Sequence, residues 1–102
     1  MKYNTLQIEV KQTAEFATWF ETLKDVSTKA RIDIRIRRLS QGYWGDTKFI
    51  DQGVLELRLH VGPGYRLYFV QRGDSLILLL CGGTKAHQQR DIQKAITMAK
   101  AL

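Results

Sequence analysis

The sequence predicts an α+β domain whose elements run strand, two helices, three strands, helix. Three observations carry that prediction. Between Val54 and Lys85 the chain reads VLELRLHVGPGYRLYFVQRGDSLILLLCGGTK, three strand-like runs separated by two turns. Before it stand two stretches with apolar residues at helical spacing, and after it a third. Strands joined by tight turns and helices gathered at either end of them describe α+β rather than alternating βαβ units. At 102 residues, one domain covering 1–102 is expected, with enough chain for a real core.

Thr5 to Lys11 reads as the first strand, with Leu6, Ile8 and Val10 on one face. Thr13 suits an N-cap and Glu15 the first turn of a helix, where the macrodipole favours a carboxylate. Phe16, Trp19, Phe20 and Leu23 then fall at i, i+3, i+4 and i+7, so Trp19 belongs to a core-facing stripe rather than to a stacking platform. Asp25 or Ser27 can cap a second helix after a very short turn, giving a helical hairpin. Ala30, Ile32, Ile34 and Ile36 alternate like a strand, but the helical template fits a longer window. Thr28, Ile32, Ile36 and Leu39 make one stripe and Arg31, Arg35 and Arg38 another, with Ile34 pointing away from the apolar one. Gly42 suits the helix end, Gln41 to Asp46 a loop, and Lys48 to Ile50 an extra short strand.

In the next run Leu55, Leu57 and Leu59 alternate with Glu56, Arg58 and His60. Gly62-Pro63-Gly64 turns the chain, and a turn centred on Pro63 sets Leu57 and Leu59 beside Leu67 and Phe69. The other face gathers Glu56, Arg58, His60, Arg66 and Tyr68. Such alternation is ordinarily the solvated face of an antiparallel sheet. Two arginines on one face nevertheless repel unless an anion lies between them, which makes this face the place to look for function. Gln71 to Asp74 forms a second hairpin turn, and Ser75 to Cys81 is apolar on both faces, as an interior strand requires. Gly82-Gly83 is expected to end that strand. Thr84 to His87 leads into a last helix with Ile92, Ala95, Ile96, Ala99 and Leu102 on one stripe.

Composition narrows the function classes. A net charge of +6 and a pI near 9.7 favour a polyanionic partner, either nucleic acid or an acidic protein. The single cysteine, Cys81, rules out an intrachain disulfide and is compatible with a reducing, cytoplasmic location. No apolar run of a secretory signal's length opens the sequence, and none approaches the roughly 18 residues of a membrane span. Two histidines and one cysteine lack ligand spacing, so neither a metal nor another cofactor is expected.

Several stretches together resemble one family: FATWFETLKD, KARIDIRIRRLSQG followed by Gly45-Asp46, GVLELRLHVGPGYRLYF, and LLLCGGTK with the polar run behind it. They resemble the RelE/ParE superfamily of bacterial toxins, most closely its HigB-like branch of addiction-module killer proteins, over nearly the whole chain. The resemblance implies an antiparallel sheet packed on a helical hairpin. It implies a type II toxin that cleaves mRNA, commonly on the ribosome, and is silenced by a neighbouring antitoxin. It also favours helix over strand for Thr28 to Leu39.

Metal-free RNA cleavage sets the ribose 2′-hydroxyl against the adjacent phosphate. It needs a proton acceptor, a proton donor for the leaving 5′-oxygen, and cations for the charge on the phosphorane. The resemblance assigns Arg66 to the scissile phosphate, Arg58 to the neighbouring strand's basic position and Lys85 to the basic segment after the last strand. Guanidinium suits this work because it stays charged and offers a planar fork to phosphate oxygens. Glu56 is the base candidate, or else the salt-bridge partner of Arg58 or Arg66. His87 is the acid candidate, since imidazole titrates near neutral pH. Tyr65 and Tyr68 join Arg58, Arg66 and Lys85 as expected RNA contacts, and His60 reads as a surface residue. The implied partners are mRNA, the ribosome and a helix-turn-helix, HigA-like antitoxin, with no membrane. An antitoxin could cover Arg58 and Arg66 or dock on the helical hairpin beside Ile34, and the larger apolar area of a helix face favours the second. Two other readings stay open: a ParE-like gyrase poison, and a non-catalytic module that binds RNA or the ribosome.

Overall fold

The computed structural model describes residues 8–102. Its elements are β1 (Glu9–Gln12), α1 (Ala14–Thr22), α2 (Val26–Ser40), β2 (Thr47–Asp51), β3 (Val54–Leu59), β4 (Tyr65–Arg72), β5 (Leu76–Thr84), a single 3₁₀ turn (Lys85–His87) and α3 (Gln88–Lys100). The α+β order expected from the sequence is present. The first strand is shorter than Thr5 to Lys11, and the part of that expectation before Ile8 lies outside the described residues. The extra strand near 48–50 is a full edge strand, β2.

The five strands form one sheet in the order β1-β5-β4-β3-β2. β2, β3, β4 and β5 are antiparallel neighbours, but β1 pairs parallel with β5, Val10 opposite Ile77. The sheet is therefore mixed, which corrects the antiparallel expectation. Tight turns dictate the direction of β3, β4 and β5. Between β1 and β5 the whole hairpin and both first helices intervene, so no turn constrains their relative direction.

Capping explains why residues 26–40 choose helix despite their period-2 isoleucines. The Asp25 carboxylate accepts from the Ser27 backbone N–H at 3.3 Å and from the Thr28 hydroxyl at 2.8 Å. At the other end the Gly42 N–H donates to Leu39 O and the Tyr43 N–H to Arg38 O, a Schellman pair that the positive φ of Gly42 permits. Ile32 and Leu39 are fully buried, while Ile34 is 45% exposed, as the helical wheel requires. In α1, Thr13 caps the Phe16 N–H as expected, and Trp19 packs edge-on to Tyr65 with ring centroids 6.3 Å apart.

Two cores result, one on each side of the sheet. Leu57, Leu59, Leu67, Phe69, Ile77 and Leu79 face the α1–α2 hairpin through Phe16, Ile32 and Leu39. Val54, Tyr68, Val70, Leu80 and Cys81 face α3 through Ala95. A bulge in β5 opposite Tyr68 and Phe69 turns both Leu80 and Cys81 to the α3 side. The face read as solvated is thus largely covered by α3. Leu102 departs from the expected stripe and is exposed. Gly82 and Gly83 do not end β5 but lie inside it. A side chain on Gly82 would enter the Trp19 indole, and one on Gly83 would enter the Asp91 carboxylate.

Candidate nucleic-acid interface

The β3–β4 register sets the site. Leu59 opposes Tyr65, Arg58 opposes Arg66, Leu57 opposes Leu67 and Glu56 opposes Tyr68, so the hairpin is centred on Gly62 rather than Pro63. The slip is two residues, an even number, and every side chain keeps its expected face. The turn closes through the Gly64 N–H donating to Val61 O. Gly64 O then accepts from the Lys85 backbone N–H at 2.9 Å and from Arg66 Nη1 at 2.9 Å. One carbonyl therefore ties the turn, the strand arginine and the segment after β5 together. At Gly64, with φ +77°, a β-carbon would come within 3.0 Å of Arg66 Nη1 and 3.3 Å of the Lys85 β-carbon.

These residues open onto a cleft of about 450 Å³, walled by Arg58, His60, the Val61–Gly64 turn, Arg66 and Lys85. Arg66 is 7% exposed, so its position is fixed by packing, whereas Lys85 is free to follow a ligand. Arg58 Nε lies 3.6 Å from Glu56 Oε1 and 4.0 Å from Asp46 Oδ1. Among the described residues, Arg58 Nε and Arg66 Nε are buried without a hydrogen-bond partner. Two cations facing each other across a strand pair, incompletely satisfied by the protein, form a site for an anion with planar or tetrahedral oxygens.

Glu56 does not reach the cleft. It is 1% exposed, and its Oε2 accepts from the Tyr68 hydroxyl and from Gln88 Nε2, each at 2.9 Å. Of the two readings held for it, the salt bridge to Arg58 is the one observed. Tyr68 is fully buried under α3, where burial and the adjacent Glu56 carboxylate push its phenol well above the usual range. Tyr65 faces the α1 side, against Trp19. Neither tyrosine lines the cleft, because odd positions of β4 face the hairpin core and Tyr68 sits deep beneath α3. His87 is exposed at the end of the 3₁₀ turn and is not among the cleft-lining residues. Burial raises the Cys81 thiol to about 12, so it is inert.

Three participants escaped the sequence reading. Asp46 was quoted only as part of a Gly-Asp pair. Its position follows from β2 and β3: Thr47 opposes Leu57, and the Arg58 N–H donates to Asp46 O one step further on. Gln88 and Asp91 sit one helical turn apart on the α3 face that holds Ala95, a spacing that could have disclosed them. Asp91 is 2% exposed, and its Oδ2 is without a hydrogen-bond partner among the described residues.

A second, smaller groove of about 210 Å³ runs between α2 and the hairpin turn, lined by Arg31, Ile34, Arg35, Arg38, Leu59, His60 and Val61. It shares His60 and Val61 with the cleft, so the basic ridge of α2 is continuous with the cleft's cations. Among the described residues no helix is long and apolar enough to cross a membrane.

No family model matches the chain. A protein of Haemophilus influenzae, described only as an uncharacterized protein, is 41% identical over 97 residues, which cover 95% of this chain and 98% of that one. With that identity across nearly the full length of both, this chain belongs to the same family as the Haemophilus protein.

Proposed function

We propose that the chain is a RelE/ParE-type toxin of the HigB-like branch: a metal-independent endoribonuclease that cuts mRNA at the ribosome and stops translation. The observation that carries this reading is the convergence of Arg58, Arg66 and Lys85, from three different segments, on one cleft beside the Gly62–Gly64 turn. The order of elements and the +6 charge support it as well. In the proposed reaction the 2′-oxygen attacks phosphorus in line, and Arg66 and Arg58 meet the charge that develops on the phosphorane. Arg66 is suited to this because its packing fixes the guanidinium before substrate arrives, so little reorganisation accompanies the transition state. Glu56, buried and triply engaged, serves as a positioning residue for Arg58 and not as the base.

The partners follow from the same surface. A helix-turn-helix, HigA-like antitoxin supplying carboxylates to Arg31, Arg35 and Arg38 and an apolar residue to Ile34 would neutralise the α2 ridge and block access to the cleft. Expression alone and together with the neighbouring gene tests the whole reading. Alone, the chain should arrest growth with discrete cuts in cellular mRNA. Co-expression of the partner should relieve the arrest. Arg66→Ala should lower the cleavage rate by at least about 10²-fold while remaining folded, by analogy with the loss of an oxyanion donor. Intact mRNA with damaged DNA would identify a gyrase poison instead, and a folded, fully toxic Arg66→Ala would remove the arginine from the chemistry.

A further inference from the structure

We infer that His60, held by Asp46, is the general base of this cleft; the inference rests on the ribonuclease reading above. Its basis is the register of β2, β3 and β4. His60 follows β3 at an even position and so faces the same way as Arg58, two residues earlier. Asp46 precedes β2 at the position that faces Arg58 across the strand pair. The Asp46 carboxylate therefore stands between the two side chains: Oδ1 lies 4.0 Å from Arg58 Nε, and Oδ2 lies 2.5 Å from His60 Nε2.

That contact decides which nitrogen is available. The hydrogen bond from His60, with Arg58 nearby, holds the Asp46 carboxyl below the usual carboxylate range, and an ionised carboxylate only accepts. A neutral imidazole in this contact donates from Nε2 and keeps its lone pair on Nδ1. The His60 side chain is 74% exposed and lines the cleft with Arg58, Arg66 and Lys85. It is the imidazole of this cleft, whereas His87 lies outside it. The charges around it are Asp46, Arg58, Arg66 and Lys85, with Arg31, Arg35 and Arg38 across the α2 groove. A base oriented by a carboxylate, next to fixed cations, is the arrangement that activated nucleophiles require.

The step balances as a transesterification. His60 Nδ1 takes the 2′-hydroxyl proton, the 2′-oxygen bonds to phosphorus, and the bond from phosphorus to the 5′-oxygen breaks. That oxygen leaves with a proton from solvent, and His60 returns its own to solvent. The products are a 2′,3′-cyclic phosphate and a 5′-hydroxyl, with no oxidant or reductant involved. Asp46 acts only as a positioning residue.

A defined mRNA in a reconstituted translation reaction tests this, with 5′ ends mapped and cleavage rates followed against pH for the wild type, His60→Gln and Asp46→Asn. Binding of an mRNA analogue carrying a 2′-deoxy nucleotide at the cut site is measured alongside. His60→Gln should lose about 10²- to 10⁴-fold in rate, the range of a general base, and should change the pH profile of cleavage. Asp46→Asn should lower the rate and change that profile as well, and both variants should bind the deoxy analogue as the wild type does. If wild type cuts and His60→Gln cuts equally fast with the same pH profile, the assignment of His60 is overturned while the ribonuclease reading stands. If His60→Gln loses analogue binding in parallel with rate, His60 is a binding residue and the base assignment is overturned. A wild type that leaves the mRNA intact overturns both.

Discussion

The two faces of the β3–β4 pair are built from alternate residues of the same strands, yet they obey opposite rules. Odd positions, Leu57, Leu59, Leu67 and Phe69, meet α1 and α2 in a core with no charge in it. Even positions meet α3 and carry Glu56, Arg66 and Tyr68, with Asp91 from the helix, all nearly or fully buried. Burying charge is expensive, and well-packed apolar residues of similar volume are often equally or more stabilising. A face that keeps its charges under a helix, where leucines would serve the fold as well, points to a constraint other than stability.

Paired substitutions sharpen that contrast, and the largest effect lies on the apolar side. Phe69 is fully buried against Trp44, with ring centroids 5.7 Å apart, so Phe69→Ala should cost about 3–5 kcal/mol in urea unfolding. Arg66→Met should move stability by no more than about 1.5 kcal/mol, the net worth of the hydrogen bond it removes, while lowering RNA cleavage at least about 10²-fold. The reason is that Gly64 O keeps its bond from the Lys85 N–H, so no buried acceptor is orphaned. An Arg66→Met protein that unfolds would make the charged face structural and break the comparison.

Glu56→Leu should fall between these. It strands the buried Tyr68 hydroxyl, at about 1–3 kcal/mol, and takes a partner from the half-buried Gln88 amide. It also frees Arg58 to turn away, so cleavage should weaken even where the fold survives. Equal stability of Glu56→Leu and wild type in the same unfolding assay would show that α3 does not depend on this network.

Alkali should test the α3 side, because burial holds two of its acids protonated. Burial raises the Tyr68 phenol above its ordinary 10.0 and pushes the Cys81 thiol from 9.0 up to about 12. Both are neutral acids whose folded-state pKa lies above the unfolded value. Their stabilisation is complete below pH 9.0 and is lost as pH rises through the folded values, since the unfolded chain gives up its protons first. Wild-type unfolding midpoints should fall from about pH 9 upward, and Cys81→Ala should flatten the first part of that fall. A decline of the same slope in Cys81→Ala would exclude the thiol as its source.

How much of this was legible in the chain depends on what sets each feature. Local spacing carried α1, α2 and their caps, since Thr13 and Asp25 act on residues two or three positions away. Alternation carried the face of every residue in β3 and β4, and survived an even slip in register. What alternation could not convey was the cover: the same pattern describes a face open to water and one closed by α3, and only the docking of α3 chooses. Arg58, Arg66 and Lys85 were identified and do meet. Tyr68 and Glu56 were placed on the correct face and turned out to lie too deep. Asp46 was missed as a partner of His60 because fourteen residues separate them, and only the β2–β3 pairing brings them together.

The smallest stability effect belongs to the α2 ridge, and it decides which basic surface binds. Arg31 and Arg38 are exposed, so changing either to Gln should move stability by no more than about 0.5 kcal/mol. Arg35 is different, because its guanidinium lies against Gly45 and donates to Trp44 O at 3.4 Å, and its loss should also loosen the Gln41–Asp46 loop. Binding of RNA should fall steeply with salt, since each phosphate contact releases condensed counterions, with a slope change near 0.7 per contact on single strands. Arg58→Ala should remove about one contact from that slope and weaken binding more than Arg31→Gln or Arg38→Gln does, because Arg58 faces Arg66 across the cleft while the ridge only borders it. If the order is reversed, with the ridge variants losing affinity and slope and Arg58→Ala keeping both, the nucleic acid lies along α2. The cleft arginines would then be an anion site that RNA does not use.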